Sequence, residues 1–172
     1  TVGQDGTVTP MIHYTPVEFY GTIHSKSSGH SYKRFKELNL AIGDVLNIEY
    51  VNDVMPYVYK SQDNTIGNNR QPEEFPTVCP FCGATLAFRD SGRSVYCPNL
   101  NCPERNVARI ANMMDKLNLK DFGENTFRFL GTKSFSELMN YKFEDLAPLG
   151  NINAQKLLDR INEIKTTPVY DY

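Results

Sequence analysis

The sequence predicts a multi-domain chain, β then α: a strand-rich first part, a four-cysteine knuckle and a helical tail. Three observations predict it. Short alternating apolar runs bounded by Gly, Pro and Asp fill residues 1–62. All four cysteines of the 172 residues fall between Cys79 and Cys102. From Pro103 onward, apolar residues recur at helical spacing. A chain of this length suits one ordinary domain or several small ones. The net charge of −2 points to no nucleic-acid partner by bulk, yet leaves room for local basic patches. No apolar run approaches the roughly 18–20 residues of a membrane span, and no signal peptide is visible. A soluble intracellular protein without a membrane partner is expected, and the start at Thr1 reads as a processed chain or a piece of a longer one.

The runs GTVTPMIHY, VEFYGTI, DVLNIEYV and VMPYVYK read as strands, interrupted by one helix near Tyr32 to Leu38. Several short strands with one helix suggest a small OB-type β-barrel over 1–62, with a tudor- or SH3-like barrel as the rival. Residues 63–75, polar and Asn-rich with Gly67 and Pro72, read as a linker.

The knuckle, 76–103, carries Cys79-x2-Cys82 and, after fourteen residues, Cys97-x4-Cys102. A Cys-x2-Cys turn aims two thiolates at one centre, and a hairpin can return a second pair to the same point. Zinc favours four such ligands in a tetrahedron, and an all-cysteine set leaves no open position, so a structural Zn2+ is expected. Two disulfides are the alternative, the chemistry of oxidised secreted chains.

The tail, 104–172, opens on a helix with Val107, Ile110, Ala111, Met114 and Leu117 on one side and Pro103 at its start. Ser134 and Glu137 form a capping box for a short helix. The last helix presents Ala154, Leu157, Leu158, Ile161 and Ile164 and stops before Pro168. LKDFGENTFRFL (119–130) and LAPLGNINAQKL (146–157) align on Leu-x-x-apolar-Gly, the pattern of two helix-hairpin-helix units. In such a unit the Gly turn brings backbone N–H groups to a phosphate and reads no base. The candidate contacts are Gly123, Glu124, Asn125, Gly150, Asn151 and Asn153; a purely structural helical packing domain is the alternative. A second candidate lies in HSKSSGHSYKRFK, where Lys26, Lys33, Arg34 and Lys36 could neutralise phosphates and His30 could donate a hydrogen bond. Here the alternative is a solvated helix face.

Taken in order, these parts resemble the region after the nucleotidyltransferase domain of bacterial NAD-dependent DNA ligases. Val2, Gly3, Gly6, Thr9, Pro10, Pro16, Val17, Gly21 and Thr22 match the opening of that family's OB domain, written V-G-R-T-G-x-x-T-P-V-A. Ser25, Lys26, Ser28 and His30 follow its S-R-A-S-L-H-N. Ile42, Gly43, Asp44, Asp53, Pro56 and Val58 follow its I-G-D … G-D-x-I-P-x-V. The four-cysteine finger and the hairpins come next, in the family's order. Gln4 stands where the family has Arg, so that residue's role is not carried over. Tyr50 and Tyr57 stand at positions that are basic in the family, and two hairpin copies are recognisable where it has four.

The resemblance implies the DNA-binding portion or subunit of a ligase, gripping nicked double-stranded DNA in a bacterial or phage-infected cell. A separate adenylation domain would then seal the 5′-phosphate to the 3′-hydroxyl. No lysine here is followed by x-Asp-Gly, the family's adenylation motif, so no catalytic residue is expected. NAD and Mg2+ would act only through the adenylation partner. The alternative from another class is a stand-alone scaffolding module that holds DNA without ligation.

Overall fold

The computed structural model describes residues 1–51, 55–60, 71–117, 119 and 121–166. Asp53, Gly67 and Pro168 lie outside the described residues. Two compact units are present: Thr1–Val2 with Gly6–Pro98, and Gly3–Asp5 with the residues from Asn99 onward.

In the first unit, β1 (Met11–Phe19) and β2 (Thr22–Ser28) pair antiparallel through a two-residue turn. Tyr20 and Gly21 both have positive φ, the geometry whose twist suits a tight hairpin. Between His13 and Val17 the register shifts, a bulge that contains Pro16, a residue with no N–H for a ladder. Helix α1 (Tyr32–Leu38) occupies the predicted span. Ser31 Oγ accepts from the Arg34 N–H at its start, and Asn39 turns left-handed at its end. Strands β3 (Leu46–Val51) and β4 (Met55–Lys60) form a second antiparallel hairpin. Ile12, Leu38, Leu40 and Val58 make the local core, with Tyr14, Leu46 and Ile48 packed against it.

These hairpins do not close into the OB-type barrel that the strand pattern suggested. Each sheet has two strands among the described residues: β1–β2, β3–β4 and the knuckle's β5–β6. Where β2 approaches β4, buried Ser27 donates its hydroxyl to the Pro56 carbonyl at 2.6 Å. A residue's C=O and N–H leave a strand on the same side, so the missing Pro56 N–H falls on the edge where a closing ladder would need a donor. A groove of about 910 Å³ runs along β1 and the segment leading into β3, lined by Ile12, Tyr14, Leu40 and Leu46 among others.

The second unit is helical: α2 (Pro103–Lys116), α3 (Glu124–Leu130), α4 (Phe135–Met139), α5 (Phe143–Leu146) and α6 (Asn151–Thr166). Val107, Ile110 and Met114 of α2 bury against Phe127, Leu138 and Leu146, and against Ala154, Leu157 and Ile161 of α6. Ala111, Leu117, Leu158 and Ile164 pack at the margin. Ser134 caps α4 by accepting from the Glu137 N–H at 3.0 Å. The Glu137 carboxylate reaches back to the N–H of Lys133, one residue beyond the cap.

Candidate metal centre and nucleic-acid interface

Backbone bonding builds the cysteine cluster from short local pieces. The Gly83 N–H returns to the Cys79 carbonyl at 2.9 Å, and the Cys79 N–H reaches the Ala84 carbonyl at 2.8 Å. Gly83 has φ +71, so this turn of the Cys-x2-Cys needs glycine. Strands β5 (Ala87–Arg89) and β6 (Ser94–Tyr96) form the hairpin that returns the chain to Cys97. The Cys97 N–H is held by the Gly6 carbonyl at 2.9 Å. An Asn99 turn, in which its Oδ1 accepts from the Asn101 N–H at 2.9 Å, delivers Cys102 to the N-cap of α2.

The four sulfurs lie within 4.8 Å of one another, with Cys82 and Cys97 Sγ 3.5 Å apart. None of the four cysteines is disulfide-bonded, so the disulfide alternative fails, and only Cys82 is less than fully buried. Four thiolates at ~2.3 Å from a tetrahedral Zn2+ stand about 3.8 Å apart, and the cluster fits that spacing. The donors are soft, four in number and close-set, which is the chemistry of a four-cysteine zinc site.

The basic stretch divides on inspection. Lys26 on β2, opposite His13, and Lys36 on α1 are exposed and have no carboxylate partner among the described residues. Lys33 is exposed and 3.9 Å from Glu37. Arg34 is different. Its guanidinium lies over the rings of Tyr57 and Tyr59, at 5.6 and 6.0 Å from their centroids, with Glu37 at 3.9 Å. Its buried Nε has no hydrogen-bond partner. His30 is exposed, takes φ +61 and sets its ring 4.8 Å from Tyr57. His24 packs beside the stacked rings of Phe19 and Tyr50.

Gly123, Glu124, Asn125, Gly150, Asn151 and Asn153 are all exposed at the starts of α3 and α6. Arg128 holds the first tip, donating to Asn125 Oδ1 at 2.7 Å and lying 3.4 Å from Glu124. The same guanidinium makes a bidentate pair with the buried carboxylate of Glu104 on α2. Asn153 donates to the Leu149 carbonyl. Asp121, just before the first tip, receives Lys156 at 2.9 Å and two bonds from Arg160, tying α6 to the first hairpin. Sequence reading passed over both networks. Their partners stand 24, 35 and 39 residues apart, beyond any helical periodicity.

Hydrogen bonds from Lys156 and Arg160 hold the Asp121 carboxyl below its ordinary value of 3.8. A depressed carboxylate contributes above its unfolded pKa and loses that contribution as pH falls through the folded one. Asp121→Asn should therefore lower stability at neutral pH and converge with the parent as pH falls below about 4, which flattens the acid limb of the stability–pH curve. Parallel acid titrations followed by circular dichroism check this.

The two tip glycines also differ. Gly150 has φ +80, whereas Gly123 has φ −107, and an added Cβ meets nothing at either. Gly150→Ala should cost about 1 kcal/mol of stability, and Gly123→Ala only a few tenths. Urea unfolding of both variants is the measurement. Any DNA-binding defect in Gly123→Ala then reports on close approach of a ligand, because the fold tolerates the methyl.

Residues 1–70 match the family model of the NAD-dependent DNA ligase OB-fold domain. The described residues of that span include the two separate hairpins β1–β2 and β3–β4. The DNA ligase of Aquifex aeolicus is 31% identical over 98% of this chain and 25% of its own length. That of Sulfurihydrogenibium azorense is 33% identical with the same coverage, and that of Nautilia profundicola 30% identical over 96% of this chain and 26% of itself. The chain spans about a quarter of the length of the ligases it matches.

Proposed function

We propose that this chain, homologous over nearly its whole length to a segment of bacterial DNA ligases, is the portion that holds nicked duplex DNA for an adenylation domain. The observation that carries this is the match over 98% of the chain, which takes in strands, cysteine cluster and hairpins together. Cys79, Cys82, Cys97 and Cys102 would hold one structural Zn2+. With four protein ligands no position is left for water or substrate, so the metal orders the knuckle and performs no reaction. Lys26, Lys33 and Lys36 supply the exposed positive charge, and the tips at Gly123–Asn125 and Gly150–Asn153 bring backbone to the phosphates. Arg34 and His30 contribute from beside Tyr57.

None of the chain's lysines stands in a Lys-x-Asp-Gly motif. NAD and Mg2+ therefore belong to the partner domain, and this chain's contribution is positioning. The test adds the chain to a ligase piece that carries the adenylation lysine and measures sealing of a nicked duplex. Stimulation that is largest at low DNA concentration is the expected result. No stimulation, or covalent AMP on this chain alone after incubation with labelled NAD, would overturn the reading. Neutralising Lys26, Lys33 and Lys36 together should lower the log–log salt slope by about 0.9 for each phosphate they neutralise in the parent.

A further inference from the structure

The outer side of the β3–β4 hairpin carries an aromatic surface that the duplex-holding role does not use. Register places Tyr57 opposite Glu49 and Tyr59 opposite Asn47, on the side of the hairpin away from buried Val58. The two tyrosine rings are 4.7 Å apart and tilted by 49°, and Tyr59 is 37% exposed. Tyr57 is half-buried and Tyr59 exposed, so the pair keeps one edge open to solvent. Arg34 presents a flat cation against both rings and keeps an unpartnered Nε, while His30 closes one end of the row at 4.8 Å from Tyr57. His30 reaches this place in a left-handed backbone conformation, with its N–H on Ser28 Oγ at 3.0 Å.

We infer that Tyr57 and Tyr59, with Arg34 and His30 beside them, bind unpaired nucleobases by stacking, making a single-stranded nucleic-acid site. Every base has a π-face, so a row of aromatic rings flanked by cations recognises unstacked bases with little regard to sequence. Lys33 on the exposed side of α1, the helix that carries Arg34, supplies charge for the strand's phosphates. Among the described residues, Glu49 by register and Glu37 by ion pairing set acids beside this surface and temper that charge. Affinity therefore rests on the rings more than on the phosphates. A duplex, whose bases are already stacked, gains nothing from the rings. The tyrosine pair is thus an addition to the grip on nicked duplex, with which it shares Arg34, His30 and Lys33, and it suits a gap, a flap or a frayed end.

The full chain has ten tyrosines and no tryptophan, so stacking at Tyr57 and Tyr59 is read as partial quenching of tyrosine emission that the Tyr57→Phe/Tyr59→Phe variant loses. The experiment titrates oligo(dT) into the zinc-loaded chain and compares an abasic oligonucleotide of the same length and charge. Quenching with oligo(dT), and binding about tenfold or more weaker for the abasic strand, is expected. Tyr57→Ala/Tyr59→Ala should lose about tenfold or more in oligo(dT) affinity and keep its affinity for nicked duplex, while Tyr57→Phe/Tyr59→Phe should keep both. Equal binding of the abasic strand, no binding of oligo(dT), or an unchanged double-alanine variant would each overturn the inference. The comparison of strands on the unaltered chain holds even if the double-alanine variant folds poorly. Failure of duplex binding with oligo(dT) binding intact would count against the ligase reading alone.

Discussion

Cys97→Ser should abolish stoichiometric zinc and unfold the knuckle. Cys97 is fully buried, its sulfur stands 3.5 Å from that of Cys82, and its N–H is held by Gly6. The strands on either side are three residues each, far too short to stand alone. Metal binding and local folding are therefore one free-energy change, worth on the order of 10 kcal/mol for a structural four-ligand zinc site. Serine keeps the size and loses the soft thiolate, so most of that term goes. Metal analysis of freshly purified, reduced protein should find one zinc per chain in the parent and well under one in the variant. Amide exchange at Cys79, Gly83 and Cys97 should accelerate by orders of magnitude, with α6 keeping its protection. A zinc-free parent with those amides still protected would refute the metal assignment.

Replacing Arg128 with methionine should strongly destabilise the helical unit. Glu104 is 4% exposed in the first turn of α2, and its carboxylate is paired by Arg128 from α3. That pairing is the first cause of the raised pKa of the Arg128 guanidinium, so the arginine stays charged at every working pH. Removing it leaves a buried carboxylate without its counter-ion. The Arg128 side chain is itself 40% exposed, which screens the pair, so about 2–3 kcal/mol is expected rather than the fuller loss of a completely buried pair. Against a total of roughly 5–15 kcal/mol for a domain, that is a large fraction. Urea unfolding of the full chain measures it. The double change Glu104→Leu/Arg128→Met should recover part of the loss, because no charge is then stranded. Glu124 and Asn125 also lose their anchor, so duplex binding should weaken in both variants. An Arg128→Met chain within about 0.5 kcal/mol of the parent would show that water reaches Glu104 after all.

Elements with a local cause were readable in advance. Helix α1 begins and ends where Ser31 and Asn39 put it, since a cap hydrogen bond and a left-handed residue act within one turn. The apolar faces of α2 and α6 follow from spacing alone, and the residues expected there do bury or pack against the core. The cysteine cluster was legible because turn and hairpin lengths constrain where thiols can meet. The barrel was not. Closure depends on which strand edges meet and whether each finds a donor, and Pro56 withholds one at the edge facing β2. The surroundings of Arg34 were not legible either, because its guanidinium lies over two rings more than twenty residues away.

Composition and spacing by themselves determined the order of parts, the four sulfur donors and the helical faces. Each depends on residue identity within a turn, a heptad or a hairpin. Tertiary structure alone decided that the sheets among the described residues stay paired two by two, that Glu104 and Arg128 lock α2 to α3, and that Tyr57, Tyr59, Arg34 and His30 share one surface. Those outcomes turn on side chains distant in sequence meeting at 3–6 Å, where desolvation, ring stacking and a single missing N–H set the energy.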